Sequence, residues 1–270
     1  MKRIAALGLA LTTLSLCGPA SAAPPPQLTP GPAVYSGYGA LASSFTTLTA
    51  HWTQPEVTCP PTISGVLGGV TNTLVTGSSM LKIPGLLAIP EAAIGTLFVP
   101  HMGAWIGMVG TNETNNRSLV QTGTGALCLD GVAHNTAFFA APSFGDQSGL
   151  PVPDPDAPGT TWDNPPIRSG DDITATITWD GQSTYRLTLA NTTRGWHYGA
   201  TYHGSVIPTG ALTVVEAIPY NVPGFSPVTF TDVTADGKPL STYDVRTLAI
   251  DGPHITPTPL TGTTFTIPSP

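Results

Sequence analysis

Between residues 172 and 191 the chain reads DITATITWDGQSTYRLTLAN. Ile173, Ala175, Ile177 and Trp179 fall on one side of an extended backbone, and Thr174, Thr176 and Thr178 fall on the other. Tyr185, Leu187 and Leu189 repeat the pattern after Asp180-Gly181, a dipeptide that favours a hairpin turn. A period of two gives each strand one apolar face, and a lone ribbon of this kind is not stable until that face is covered. Further strand-like stretches lie at 47–52, 105–109, 118–122, 134–141, 195–204, 211–218, 228–237 and 241–250, separated by Gly and Pro. No stretch offers an amphipathic helix of three turns. Many short strands with turn residues between them predict an all-β chain, a sandwich or a barrel.

The first 22 residues read differently. Lys2 and Arg3 precede an apolar run from Ile4 to Leu16, and Ala20-Ser21-Ala22 supplies small residues for cleavage. This predicts a secretory signal peptide rather than a membrane span. Residues 23–33 form a Pro-rich arm, and residues 34–270 are expected to form a single domain. Within that domain the segment 81–99 is apolar but broken by Pro84, Gly85, Pro90 and Gly95, and it reads as an insertion. Residues 145–169 are rich in Pro and Gly and read as a long loop.

Only 9 % of the residues are charged, and the formal net charge is −7. No basic patch is present, which argues against nucleic acid and anionic membranes as partners. Past the leader two cysteines remain, Cys59 and Cys128. In an oxidising compartment they read as one disulfide. No CxxC or HxxxH spacing suggests a metal site, no Asp/Asn cage suggests calcium, and no cofactor motif is found. There is no GxSxG and no pair of Asp-Thr/Ser-Gly motifs, so a nucleophilic serine and an aspartic dyad have no sequence support.

Glu216 is a lone carboxylate in the apolar run ALTVVEAIP. A carboxylate there is costly unless it is paired or hydrogen-bonded. Gln121 is a neutral amide at a strand end beside Thr122 and Gly123. On pattern alone, a structural carboxyl held by Thr or backbone donors explains Glu216 better than catalysis does.

Ordered pieces along nearly the whole mature chain resemble the glutamic peptidases, the eqolisin family of secreted acid endopeptidases. These are YSGY at 35–38, TAHWTQPEVTC at 49–59, WIGMVG at 105–110, VQTGT at 120–124, SGDDITATITWDG at 169–181, LANTTRGW at 189–196, TVVEAIP at 213–219 and VTFTDVTADG at 228–237. The resemblance implies a two-sheet antiparallel β-sandwich of the lectin-like jelly-roll type. It implies a catalytic pair at Gln121 and Glu216, facing a shared water, and a Cys59–Cys128 disulfide. Glu216 would act as general base and then general acid, and the Gln121 amide would stabilise the oxyanion. Tyr38, Trp52, Trp105, Thr122 and Phe138 become candidate substrate-facing side chains, with core packing the competing reading for Trp105 and Trp52. The implied protein is a secreted monomer that cuts polypeptides in acid without a metal or cofactor. The chain departs from the family at Val109, where an Asp is usual, at Leu212, where a Glu is common, and in the strand HNTAFFAAP. A relative that binds peptide or carbohydrate with little or no hydrolysis is the alternative.

Overall fold

The computed structural model describes residues 34–60, 100–111, 117–129, 131–141, 152–153, 167–217 and 221–270. The expected signal peptide, Pro-rich arm, apolar insertion at 81–99 and most of the 145–169 loop lie outside the described residues.

Among the described residues sixteen strands are formed, in chain order β1 (Tyr35–Leu41), β2 (Thr47–Thr53), β3 (Val57–Thr58), β4 (His101–Thr111), β5 (Arg117–Leu129), β6 (Val132–Ala140), β7 (Val152–Pro153), β8 (Asp172–Trp179), β9 (Thr184–Asn191), β10 (Trp196–His203), β11 (Pro208–Ala217), β12 (Gly224–Phe225), β13 (Val228–Ala235), β14 (Lys238–Pro239), β15 (Asp244–Leu248) and β16 (Phe265–Ile267). One 3-10 turn, Leu240–Thr242, precedes β15. A six-stranded sheet has the order β15-β1-β11-β4-β5-β6, and an eight-stranded sheet has β14-β13-β2-β8-β9-β10-β7 with β16 against β13. Neighbouring strands in both sheets pair antiparallel. Among the described residues no helix is long and apolar enough to cross a membrane.

The alternation that began the sequence reading becomes the core. Ile173, Ala175, Ile177, Leu187 and Leu189 are fully buried, while the threonines between them face outward. Thr47, Thr49, Thr174, Thr176 and Thr188 share that outer face, and Thr49 and Thr176 are linked by a 3.2 Å hydroxyl contact. The turn after β8 is organised by Asp180, whose Oδ1 accepts from the N–H groups of Gln182, Ser183 and Thr184. These bonds hold its carboxyl well below the usual carboxylate range.

The inner face of the six-stranded sheet supplies Met102, Ala104, Ile106, Met108, Val120, Phe139 and Val215 to the same core. A hydrogen bond spans the two layers, from Trp52 Nε1 on β2 to Thr124 Oγ1 on β5, at 3.1 Å and fully buried. Thr124→Val keeps the side-chain shape but leaves the indole N–H without an acceptor. A loss of about 1–3 kcal/mol is expected, measurable as a lower urea midpoint. An unchanged midpoint would show that this bond contributes nothing.

Cys59 and Cys128 form a disulfide with a Cα–Cα distance of 5.4 Å. Cys128 lies within β5, which runs past the strand-like stretch 118–122 read from the sequence. The strand continues because β6 pairs with it through Cys128↔Ala133 and Leu129↔Val132. The short β3–β12 ribbon was likewise unforeseen, since 221–226 reads as loop.

Candidate active site

The outer face of the six-stranded sheet, turned away from the core, carries the candidate residues. In β4 the pattern HMGAWIGMVG sends Met102, Ala104, Ile106 and Met108 inward and leaves Gly103, Trp105, Gly107 and Val109 on the other face. Across the sheet Glu216 pairs with Gly103, which pairs with Gly125. Leu212 pairs with Gly107, which pairs with Gln121. Directly opposed residues share a face, and so do residues four apart on one strand. Glu216, Trp105 and Gln121 therefore all stand on this face.

Glu216 and Gln121 are offset on this face. Two strand spacings and four residues separate them, which is about 10 Å across the sheet and about 13 Å along it. Trp105 occupies the midpoint of that diagonal, in the row Val214–Trp105–Gly123. Its Nε1 donates to Glu216 Oε2 at 2.9 Å. Its far edge reaches toward Gln121, because a Cβ on Gly107 would lie 2.9 Å from Trp105 Cζ3 and 2.9 Å from Leu119 Cδ1. The strand register sets them two rows apart, and an indole fills the space between.

The residue Glu216 keeps part of its surface, but its carboxyl sits in a desolvated setting. Desolvation pushes its pKa up to about 7, and the hydrogen bond from Trp105 opposes this. Tyr35, opposite Glu216 in the register, packs edge-on against Trp105 with ring centroids 5.5 Å apart. Burial and then the charge of Glu216 drive the Tyr35 phenol far above its ordinary range. Around Gln121 the surroundings are apolar. Leu212, Trp105 and Val214 are buried together, with Val109, Leu119 and Phe138 packed against them. The Gln121 Oε1 is buried with no hydrogen-bond partner.

Of the other sequence candidates, Trp105 and Phe138 lie on this face. Tyr38, Trp52 and Thr122 do not. Tyr38 and Trp52 belong to the core between the sheets, and Thr122 is fully buried with its hydroxyl donating to the Phe138 carbonyl. Tyr38 donates to the Thr258 carbonyl and accepts from the Leu260 N–H, tying β1 to the C-terminal tail. The reason is the pleat, since residues adjacent in a strand point to opposite faces. The same rule identifies the residue that was missed. In YSGY the side chain beside Glu216 is Tyr35, two positions before Gly37 and three before Tyr38.

Asp171, just before β8, is a structural tie. It is buried and accepts from Arg194 Nε, from Asn191 Nδ2 at 2.9 Å and from the Arg168 N–H. Burial alone would raise its pKa, and these donors bring it below the ordinary value. Among the described residues, no three His, Cys, Asp or Glu side chains group as a metal ion would require.

Comparison with known proteins agrees with this architecture. A model of the Peptidase A4 family matches residues 33–266. Among curated protein sequences none matches the chain. Scytalido-glutamic peptidase, solved with a transition-state analogue inhibitor, is 17 % identical over 88 % of this chain and 98 % of its own, with a TM-score of 0.57. SCP-B, a member of the eqolisin family of peptidases solved with the tripeptide Ala-Ile-His, is 19 % identical over the same shares, with a TM-score of 0.54. The likeness to these structures is one of fold, two large antiparallel sheets packed as a sandwich. The family match over residues 33–266 settles the classification: the chain belongs to the Peptidase A4 family, the eqolisin peptidases.

Proposed function

We propose that this protein is a glutamic endopeptidase that cuts extended polypeptides, with Glu216 as the carboxyl that activates water. The observation that supports this reading is the seat of Glu216. It is a desolvated carboxyl on a residue of the outer sheet face that keeps part of its surface, beside the side-chain-free positions Gly103 and Gly125, held by an indole N–H, with its pKa near 7. A general base works best when its pKa lies close to the working pH. Glu216 takes a proton from water, the water oxygen attacks the scissile carbonyl, and the same carboxyl returns the proton to the leaving amine. Gln121 stands beyond the indole on the same face and is assigned to the bound peptide through its side-chain amide. Export fits the basic, apolar and small-residue order of the N-terminus together with the disulfide, and we take the mature protein to act as a single-domain monomer.

A second reading has its own observation. The residue opposite Gln121 across Gly107 is Leu212, which can neither take nor give a proton. An amide facing an aliphatic side chain suits peptide binding without hydrolysis.

Digestion of an unfolded protein from pH 3 to 8 separates the two. An ordinary glutamate suits acid, but a carboxyl half-ionised near pH 7 gives a rate that climbs between pH 5 and 7. Cleavage with that rise, lost in Glu216→Gln, is the expected result. Cleavage retained in Glu216→Gln overturns the first reading. Peptide binding by a wild type that cuts nothing at any pH establishes the second.

A further inference from the structure

Trp105 does more than fill the floor of the sheet. Its indole N–H is a donor with no acceptor capacity. The bond to Glu216 Oε2, at 2.9 Å, therefore needs that oxygen as an acceptor at all times. A proton placed on Oε2 would compete with the indole for the same region, whereas a proton on Oε1 leaves the bond intact. The ring is fixed from three sides. Tyr35 meets it edge-on at an interplanar angle of 87°. Gly103 and Gly107 lie beneath, where a Cβ would come within 3.4 Å of Cδ1 and 2.9 Å of Cζ3. Trp105 itself is 1 % exposed, so the ring has no room to swing away from the carboxyl.

We propose that Trp105 is the positioning residue for Glu216, reserving Oε2 as a permanent acceptor so that Oε1 alone takes up and releases the proton. The catalytic part of this proposal rests on the reading of Glu216 as the general base, while the pairing itself does not. Groups facing Glu216 from the neighbouring strands are few. Tyr35 stands on β1, and His101 on β4 and His134 on β6 share the face one row beyond Gly103 and Thr136. No Lys or Arg stands in the described rows next to Glu216. The indole N–H is thus the donor shown to favour the charged form. Its loss moves protonation of Glu216 to higher pH.

Two measurements test this. The first follows the indole Nε1–H resonances of wild-type protein by NMR from pH 4 to 9. One of them, assigned by its absence in Trp105→Phe, is expected to titrate with its midpoint at the Glu216 pKa and to become flat in Glu216→Gln. An indole signal that ignores pH, or that titrates unchanged in Glu216→Gln, overturns the pairing, and wild-type and Glu216→Gln samples alone suffice for this if Trp105→Phe does not fold. The second is the pH profile of peptide hydrolysis by Trp105→Phe. A fall in kcat of about ten- to hundredfold with KM little changed, and a rising limb displaced to higher pH, are expected. A folded Trp105→Phe with an unmoved limb and unchanged kcat overturns the positioning role. If wild type cuts no peptide, the catalytic part falls together with the hydrolysis reading, and the NMR titration alone judges the pairing.

Discussion

Glu216→Gln is expected to lose hydrolysis by at least about a hundredfold and, at the same time, to make the protein more stable above neutral pH. The loss of activity follows from removing the only group assigned to move protons, an effect of about 10²–10⁴ for general acid–base catalysis. The gain in stability follows from the direction of the pKa shift. Glu216 has a folded-state pKa raised from 4.5 to about 7. Below pH 4.5 both folded and unfolded chains hold the proton, and the residue costs nothing. Between 4.5 and 7 the unfolded chain ionises while the folded chain keeps its proton, so stability falls as pH rises. Above 7 the full cost of ionising a desolvated carboxyl is present. At about 1.4 kcal/mol per pH unit that cost is at most about 3–4 kcal/mol, less whatever solvent at the exposed part of the residue recovers. Glutamine is neutral throughout, and its amide oxygen still accepts the Trp105 N–H. Thermal melts at pH 4 and pH 8 check this: the variant should match wild type in acid and melt several degrees higher at pH 8. An equal difference at both pH values would mean that the carboxyl is not desolvated as described.

The second large effect concerns the disulfide. Cys59 and Cys128 are separated by 69 positions in sequence. The bridge joins the chain just past β3 to the end of β5, so the whole intervening segment is a closed loop. Holding a loop of this length closed in the unfolded chain is worth about 4 kcal/mol on the chain-entropy account. The double variant Cys59→Ser/Cys128→Ser, and wild type under reductant, should each lose about that much in chemical denaturation. Agreement between the two isolates the bridge from the packing of the buried Cys128 and the half-buried Cys59. A loss below about 1 kcal/mol would show that the unfolded chain already keeps these residues close.

Much of the fold could be read before any coordinates, and particular residues show why. Ile173 through Leu189 alternate so regularly that only a sheet with one covered face satisfies them. Glu216 and Gln121 could be placed on sheet faces by the same logic, and they do share one. Their offset could not be read, because it depends on which residue of β4 opposes which residue of β5 and β11. Nothing local distinguishes Gly103 from Gly107 as the partner of Glu216. The choice is made by pairing along the full length of β11 and β4, including the irregularity between Pro208 and Gly210. Tyr38 and Thr122 are a different case. Each is adjacent to, or an odd number of positions from, a residue on the outer face, so the pleat alone assigns it to the core. There the information was present in the sequence, and residue chemistry outweighed geometry in the choice.

The order β15-β1-β11-β4-β5-β6 has a consequence in time. The first strand finds both of its neighbours in the last third of the chain, and β2 pairs β13 as well as β8. Neither layer can assemble from the N-terminus inward as the ribosome delivers it. β1 must wait, with its ladder groups open on both sides, until residues beyond 208 arrive. A topology with such distant pairings folds slowly and spends longer open to misassociation. Removing even the final third of the polypeptide would strand β1 without a partner on either side.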